Sequence, residues 1–249
     1  MQKRATEILE WLVDTRIAGP HSSHSREDNV RKAEMLASGD PKATFGLIDA
    51  AYVRAREALL AVATVAGSGD PGAAYIDPTA TLSSAIGAAD RLQRACLAGA
   101  SVLVATGHPT GLLSFYGLLA QALDRLGATI IRPLDNVRIH GPDGSGRIRY
   151  LLGVGALTDG GSILHTHSPW PMEEILRSGH HIDLVVGDHG FAGAAIQAGI
   201  PTVAVMDTND PALAVGWASG RDVSLIPLDD NRPPDLYLPL AELMIERLH

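Results

Sequence analysis

Short apolar runs alternate with longer helical patterns along the second half of the chain. Most of the runs are separated by helical segments, such as 111–126 and 190–198. This alternation predicts a mostly parallel sheet whose strands are connected by crossover helices. The predicted strands are 101–105, 128–132, 183–186, 202–206 and 223–226.

The chain up to about residue 99 shows helical periodicity instead. Asp40-Pro41 and Asp77-Pro78 each combine a favoured N-cap residue with proline at the first helical position, so each predicts a helix start. The first of these helices is expected to continue to about Ala66. The glycine-rich segment 67–72 is then expected to form a loop.

These patterns together predict one α/β domain over residues 1–249. The expected fold is Rossmann-like, with a mostly parallel sheet and flanking helices in 100–249 and an N-terminal helical layer in 1–99. A hairpin made of 147–154 and 162–165 is expected to be inserted in the middle of the sheet region.

Composition and charge narrow the possible partners. The chain has 249 residues, a net charge of -8 and no basic run, which argues against nucleic acid. The single cysteine, Cys96, excludes an intramolecular disulfide and fits a reducing cytoplasm. The N-terminal helix carries Glu7 and Glu10 within its apolar pattern, unlike a signal peptide, and no apolar run reaches about 18 residues. We therefore expect a cytoplasmic protein without a membrane partner, whose apolar N-terminal helices could form a homo-oligomer.

Polar chemistry gathers in four short loops of the second half. The loops are 106–111, 164–169, 187–190 and 207–211. Three of them follow a predicted strand and lead into a helix, at the carboxyl end where α/β sheets bind their ligands. Seven of the ten histidines lie between His108 and His189. This clustering predicts a functional site.

The turn 106–111 is the predicted phosphate-binding element. Thr106 and Thr110 offer hydroxyls, and Gly107 and Gly111 let backbone N–H groups approach an anion at the start of a helix. The alternative is that the glycines only form a tight turn, which would leave His108 at its tip unexplained. The turn lacks the Gly-Lys-Ser/Thr of a Walker motif and the spacing of a dinucleotide fingerprint.

Two histidines in the loop 164–169 have metal-ligand spacing. His165 and His167 lie two residues apart, on one face of an extended segment, where both imidazoles can bind one metal ion. The alternative is a pair of surface histidines. The stretch also matches the opening motif of the polymerase and histidinol phosphatase barrels, but only about 80 residues follow it, too few for the rest of such a barrel.

Acidic residues follow two further strands. Asp188, beside His189, suits a metal ligand or a general acid/base, although Asp is also a favoured N-cap. Asp207 and Asn209 could bind a metal or a sugar hydroxyl, whereas Asp210 before Pro211 is expected to be a structural N-cap. Arg91, on the helix before the first strand, could reach a phosphate, or it could be solvated like most arginines on a helix face.

The loops in this order resemble a family of actinobacterial phosphatases. The resemblance is carried by TGHPTGLL at 106–113, LHTHSPWP at 164–171 and the long segment 183–214. It implies hydrolysis of a small phosphomonoester in the cytoplasm. The sequence lacks the Asp-x-Asp pair of haloacid-dehalogenase phosphatases and the Arg-His-Gly of histidine phosphatases.

A metal-assisted or His/Asp acid-base mechanism therefore remains. Its predicted catalytic residues are His108, Asp188 and His189. The predicted ligands of a divalent Mg, Mn or Zn ion are His165, His167, Asp188 and Asp207, and the predicted substrate-binding residues are Thr106, Gly107, Thr110, Gly111, Asn209 and Arg91. The alternative is a phosphosugar-binding protein or isomerase that uses the same strand-end pocket without hydrolysis.

Overall fold

The structure is a computed structural model that describes residues 2–67, 74–142 and 144–249. Its helices are α1 (Gln2–Asp14), α2 (Arg26–Ala37), α3 (Pro41–Thr44), α4 (Ala55–Ala66), α5 (Pro78–Leu97), α6 (Pro109–Arg125), α7 (Trp170–Arg177), α8 (His189–Gln197), α9 (Pro211–Ala218) and α10 (Leu238–Leu248). Its strands are β1 (Gly19–Pro20), β2 (Tyr75–Ile76), β3 (Ser101–Ala105), β4 (Thr129–Ile130), β5 (Arg138–Gly141), β6 (Gly144–Leu151), β7 (Val154–Thr158), β8 (Leu184–Gly187), β9 (Thr202–Met206) and β10 (Val223–Pro227). Short 3-10 segments cover Ile48–Tyr52 and Pro234–Tyr237. The predicted loop 67–72 lies, apart from Gly67, outside the described residues.

One large sheet organises the molecule, in the order β10-β9-β8-β3-β7-β6-β5. The strands from β10 to β7 are parallel, β4 pairs in parallel with β3, and β6 and β5 continue the sheet antiparallel. The predicted α/β fold with a mostly parallel sheet is therefore confirmed. All five predicted strands are present, although β4 is shorter than expected.

The central strands are buried on both faces, which explains why they are apolar at consecutive positions. Val102 and Val104 pack into the cluster that contains α1, α5, α6 and α10, whereas Leu103 and Ala105 pack against α7 and α8. A further cluster joins α2, α3 and α4 to α9 and the β9–β10 edge. The N-terminal helices therefore pack against both faces of the sheet. No helix among the described residues is both long enough and apolar enough to cross a membrane.

The two Asp-Pro helix starts are confirmed by their hydrogen bonds. The Asp40 side chain accepts from the Lys42 N–H at 2.9 Å, and the Asp77 side chain accepts from the Thr79 N–H at 2.8 Å. Each carboxylate thus satisfies a backbone donor that has no partner inside its helix.

The helix predicted from Pro41 to about Ala66 was wrong, because the chain breaks between α3 and α4. Phe45 and Gly46 have φ of 52° and 83°, which ends α3 after one turn. The break brings the Phe45 backbone onto α8, where a Cβ on Gly193 would lie 2.1 Å from the Phe45 carbonyl oxygen. A tertiary contact with α8 therefore accompanies the break, and the apolar periodicity along this segment did not reveal it.

The predicted central hairpin was also wrong in its pairing. The segment 147–154 spans the turn between β6 and β7, which pair with each other, and β5 adds a third antiparallel strand. Of 162–165, Ile163 forms an isolated bridge to Thr158. The turn at Leu152 and Gly153 has positive φ at both residues, so the chain reverses inside the apolar run.

Two helical glycines give a matched test of the α8 contact. We expect Gly193→Ala to lower the free energy of unfolding by about 1–3 kcal/mol, because the added Cβ overlaps the Phe45 backbone. Gly87→Ala has open space around its Cβ and should raise the free energy of unfolding by up to about 1 kcal/mol. Urea denaturation of both variants measures the difference. A Gly193→Ala protein as stable as the wild type would contradict the close approach.

Candidate functional site

Polar side chains are buried together at the carboxyl ends of β3, β8, β9 and β10. All of them are less than a tenth exposed: Thr106, His108, Asp188, His189, Asp207, Thr208, Asn209, Asp210, Asp229 and Asp230. The loop between β7 and α7 and the loop between β1 and α2 add four more histidines beside this group. Since buried polar groups are costly without partners, the contacts of each one indicate what it does.

Asp188 connects the turn after β3 to the start of α8. Its carboxylate accepts hydrogen bonds from Thr106 Oγ1 at 2.6 Å, from the Gly107 N–H at 2.7 Å and from the His108 N–H at 3.2 Å. His189 Nδ1 lies 3.1 Å from the same oxygen as the two N–H groups. Asp188 therefore fixes the 106–108 turn and the imidazole that follows it in sequence.

The loop that carries His165 and His167 fits against this turn because two residues lack a side chain. A Cβ on Gly107 would lie 2.3 Å from the Thr166 carbonyl oxygen, and a Cβ on Gly190 would lie 2.2 Å from the Ser168 carbonyl oxygen. The Thr166 N–H also donates to the Gly107 carbonyl at 2.8 Å. The two glycines thus let this loop close over the site.

His189 lies at the centre of the group. Its φ of 44° is in the left-handed region, where a side chain is strained, and it places the ring among carboxylates at the first turn of α8. Nε2 lies 3.5 Å from Asp230 Oδ2 and 3.7 Å from Asp210 Oδ2. Burial by itself lowers the pKa of His189, but Asp210, Asp188 and Asp230 outweigh it and raise the pKa to about 10.

Four buried polar atoms of the cluster have no hydrogen-bond partner in the described part of the chain. They are His108 Nδ1, Asp207 Oδ2, Asp210 Oδ1 and Asp230 Oδ2. His108 Nδ1 and Asp230 Oδ2 are 3.2 Å apart, but their orientation does not make a hydrogen bond. Burial raises the pKa of Asp210 to about 7, whereas the neighbouring imidazoles hold the pKa of Asp230 at about 2 in spite of its burial. Carboxylate oxygens and an unprotonated imidazole nitrogen without partners are the kind of acceptors that a bound cation would satisfy.

His165 and His167 form two stacked pairs with His108 and His189. His165 stacks on His108 with ring centroids 4.4 Å apart, and His167 stacks on His189 at 4.3 Å. The two Nε2 atoms of His165 and His167 lie 3.0 Å from each other. Burial, together with the neighbouring histidines, lowers the pKa of His165 to about 4 and that of His167 to about 2. Both rings are therefore neutral at neutral pH and carry lone pairs that a metal can accept.

Among the residues that the structure describes, three groups of side chains have the spacing of metal ligands. Within each group, one atom per residue lies within 4.8 Å of the others: His189 with Asp210 and Asp230, His108 with His165 and His189, and His21 with Asp207 and Asp229. The ligand atoms are imidazole nitrogens and carboxylate oxygens, which suit zinc or manganese.

The first group has the most complete metal-ligand arrangement. His189 Nδ1 lies against Asp188, so its N–H donates there and Nε2 is directed at Asp210 and Asp230. Two ligands each about 2.1 Å from one tetrahedral ion lie about 3.4 Å apart. The distances from Nε2 to the two carboxylates, 3.5 and 3.7 Å, are close to that value.

Most of the predicted site residues come together here. The hydrogen bonds of Asp188 bring together five of them: Thr106, Gly107, His108, Asp188 and His189. Asn209 lies beside His24, with its amide nitrogen 3.0 Å from His24 Nε2. His167 and Asp188 are in none of the three metal-ligand groups, whereas His165 and Asp207 are.

The structure places some of the predicted site residues away from the cluster, and it gives the backbone N–H groups of others a different partner from the one expected. Arg91 donates to Asp222 at 2.7 Å and to Ser224, near the opposite ends of the strands. Thr110 is exposed, and Gly111 packs against the Asp230 carbonyl. The N–H groups of Gly107 and His108 point at the Asp188 carboxylate, where an anion was expected.

Asp210 occupies the N-cap position of α9, before Pro211, as predicted, but its side chain does not cap the helix. Asp210 Oδ2 accepts from the Asp207 N–H at 3.1 Å, and Oδ1 has no partner among the described residues. The Asp-Pro pattern correctly located the helix start and gave no information about the direction of the carboxylate.

Sequence reasoning missed four residues of the cluster: His21, His24, Asp229 and Asp230. Asp229 and Asp230 follow the strand β10, so the strand-end rule applied to the other loops would have found them. His21 and His24 lie in the long connection between β1 and α2, far from the other loops in sequence, and no local pattern links them to the site.

Two comparisons place the chain among known proteins. A family model described as "Phosphatase" matches residues 3–249. A protein of Streptomyces coelicolor, named as a phosphatase, is 36% identical over 251 residues, which cover 96% of this chain and 94% of the relative. No solved structure matches the chain significantly.

The raised pKa of His189 predicts that a cation displaces a proton. At pH 7.5 His189 is protonated, because its pKa is about 10 in the absence of a cation, and coordination through Nε2 requires that proton to leave. Binding of Mn²⁺ or Zn²⁺ should therefore release about one proton per ion and strengthen as pH rises toward 10. Calorimetric titrations in buffers of different ionisation enthalpy measure the release. His189→Gln should abolish it, and a heat of binding that does not depend on the buffer would contradict this assignment.

Proposed function

We propose that this chain, which belongs to the Phosphatase family, is a metal-dependent phosphomonoesterase whose reaction takes place at the His189–Asp210–Asp230 group. The observation that carries the proposal is the charge of the buried site. Five aspartates are buried there, and no lysine or arginine is buried among the described residues. A phosphate dianion would be repelled from such a site unless cations were bound first.

The residues fit a divalent cation on three grounds. Asp210 Oδ1, Asp230 Oδ2 and His108 Nδ1 are buried atoms without hydrogen-bond partners. Asp188 holds the Nδ1 side of His189, in the carboxylate–histidine arrangement that orients metal ligands. The ligand set is of nitrogen and oxygen atoms, as in hydrolytic zinc and manganese sites. We assign His189, Asp210 and Asp230 as ligands, with His108 beside them, and Asp188 as a positioning residue.

A divalent ion bound here would neutralise charge on the phosphoryl oxygens and lower the pKa of a water molecule. The chain supplies the geometry for that chemistry. Asp188 keeps the proton of His189 at Nδ1 and rigidifies the 106–108 turn, so that His108 remains in place. His165 is exposed and neutral at neutral pH, so its ring can accept a hydrogen bond from water at the open side of the site, whereas its pKa of about 4 makes it a weak proton acceptor.

Lys32 is our candidate for a direct contact with the substrate phosphate. It lies on α2, is half-buried, and is close enough to His167 to contribute to the lowering of its pKa. Arg91, the cation suggested by the sequence, instead pairs with Asp222 near the opposite strand ends. A single ammonium beside the histidines would orient a small phosphomonoester without neutralising the cluster.

The proposal is tested by phosphate release from an aryl phosphate and a panel of sugar phosphates. We expect activity with Mn²⁺ or Zn²⁺, loss of activity with EDTA, and recovery when the metal is restored. Changing a residue that only supports the ligands typically costs about 10–100-fold in activity. Asp230→Asn removes a proposed ligand, so we expect it to reduce kcat by more than that. Asp222→Asn, a carboxylate paired with Arg91 far from the cluster, is the matched control and should keep wild-type activity.

Two outcomes would contradict the proposal. Full activity of Asp230→Asn would remove the assigned group from the reaction. No phosphate release under any metal condition, combined with thermal stabilisation by a sugar phosphate, would identify a phosphosugar-binding protein or isomerase instead.

Asp188→Asn separates positioning from ligation. The amide cannot accept at both of its former oxygen positions, so the 106–108 turn and His189 lose their common anchor. We expect metal affinity and kcat to fall by about 10–100-fold while the metal still binds. Metal titration together with circular dichroism measures affinity and folding separately. Unchanged affinity would exclude this positioning role.

A further inference from the structure

We infer that a second cation binds beside the first, between Asp207 and His24. The β1–α2 loop completes this second cation site by contributing His24. The inference rests on the proposed function, because it makes the reaction centre a pair of cations. The juxtaposition that carries it is a buried, unpartnered carboxylate oxygen facing an imidazole nitrogen from the N-terminal part of the chain.

The two oxygens of Asp207 have different surroundings. Oδ1 lies 2.5 Å from His21 Nε2 and accepts from the Thr208 N–H. Oδ2 has no hydrogen-bond partner in the described structure, although the side chain is fully buried. It lies 3.5 Å from His24 Nε2, which is longer than a hydrogen bond. The same Nε2 lies 3.0 and 3.3 Å from the side-chain amide nitrogens of Asn209 and Asn231, and these amides would rotate away from it when a cation binds. Two ligands of one tetrahedral ion would be about 3.4 Å apart, so the gap has the size for an ion.

His21 holds Asp207 and is not itself a ligand. Its Nδ1 accepts from the N–H groups of Ser23 and His24 at 3.1 and 3.0 Å. Nδ1 is therefore unprotonated, the ring proton is on Nε2, and that N–H donates to Asp207 Oδ1. A ring arranged in this way has no lone pair left for a metal, although His21 groups with Asp207 and Asp229 by distance alone.

Asp229 holds the loop and does not contribute a free ligand atom. Its carboxylate accepts from Ser23 Oγ at 2.7 Å, Ser22 Oγ at 3.1 Å and the Asn231 N–H at 3.0 Å. These bonds attach the loop that carries His21 and His24 to the end of β10. His24 is thereby fixed near Asp207, although the two residues are 183 positions apart in the sequence.

The loop after β9 contributes to both cation positions. The loop after β9 gives Asp210 to the first and Asp207 to the second, and the Asp207 N–H donates to Asp210 Oδ2 at 3.1 Å. The side chain of His24 is 20% exposed, so water or substrate can reach the second position. Paired cations of this kind hold both the attacking and the leaving oxygens of a phosphoryl transfer.

Metal stoichiometry tests the inference without relying on activity. The purified protein is stripped of metal and titrated with Mn²⁺ or Zn²⁺, and the bound ion is counted by elemental analysis after desalting. We expect two equivalents for the wild type and one for His24→Gln and for Asp207→Asn. His181→Gln, at an exposed histidine paired with Asp183, is the matched control and should bind two.

His21→Ala distinguishes a positioning residue from a ligand. We expect the second equivalent to bind about 10–100-fold more weakly while the first is unaffected. His24→Gln is the safer variant for folding, because its side chain is partly exposed, and thermal melting checks each protein.

One equivalent in the wild type, or two in a folded His24→Gln protein, would overturn the inference. In either case, metal-dependent phosphatase activity that is lost in Asp230→Asn would leave the proposed function standing. Loss of both metal equivalents in Asp230→Asn, with one lost in His24→Gln, would support the second cation as dependent on the first.

Discussion

The carboxylate of Asp188 is the interaction on which the rest of the site depends. It accepts hydrogen bonds from Thr106 and from two backbone N–H groups of the turn after β3, and it holds Nδ1 of His189 at the start of α8. The carboxylate of Asp188 thus connects the loops that follow two adjacent parallel strands, β3 and β8. Because the N–H groups of Gly107 and His108 already donate to this aspartate, the turn positions His108 and does not offer these two N–H groups to an anion.

The second constraint is electrostatic. Burying several aspartates is unfavourable, and the imidazoles of His189, His108 and His21 offset only part of that charge. One carboxylate oxygen of each of Asp207, Asp210 and Asp230 has no hydrogen-bond partner among the described residues, so negative charge remains uncompensated there. The same features that make the cluster costly without a ligand would favour the binding of divalent cations, and these would in turn attract a phosphate. Binding of the ion would therefore stabilise the fold as well as prepare the reaction.

Much of the fold could be predicted, because its signals are local. The apolar strands β3, β8, β9 and β10 stand out because both faces of the sheet are covered, and Asp40-Pro41 and Asp77-Pro78 marked helix starts through bonds within three residues. The break after α3 escaped prediction because it accompanies the contact of Phe45 with Gly193, some 150 residues later. The β6–β7 turn escaped because it falls within an apolar run.

The sequence by itself determined that histidines and aspartates follow the strands of a parallel sheet, and this is why His108, His189 and Asp207 were expected to be neighbours. Only the tertiary structure decided how their atoms are used. It directs Asp188 at backbone N–H groups, turns Asp210 away from its helix, and brings His24 to Asp207 through the hydrogen bonds of a distant loop. The positions of strands along the chain follow from the local hydrophobic pattern, whereas the direction of a carboxylate depends on which donors packing brings within about 3 Å of it.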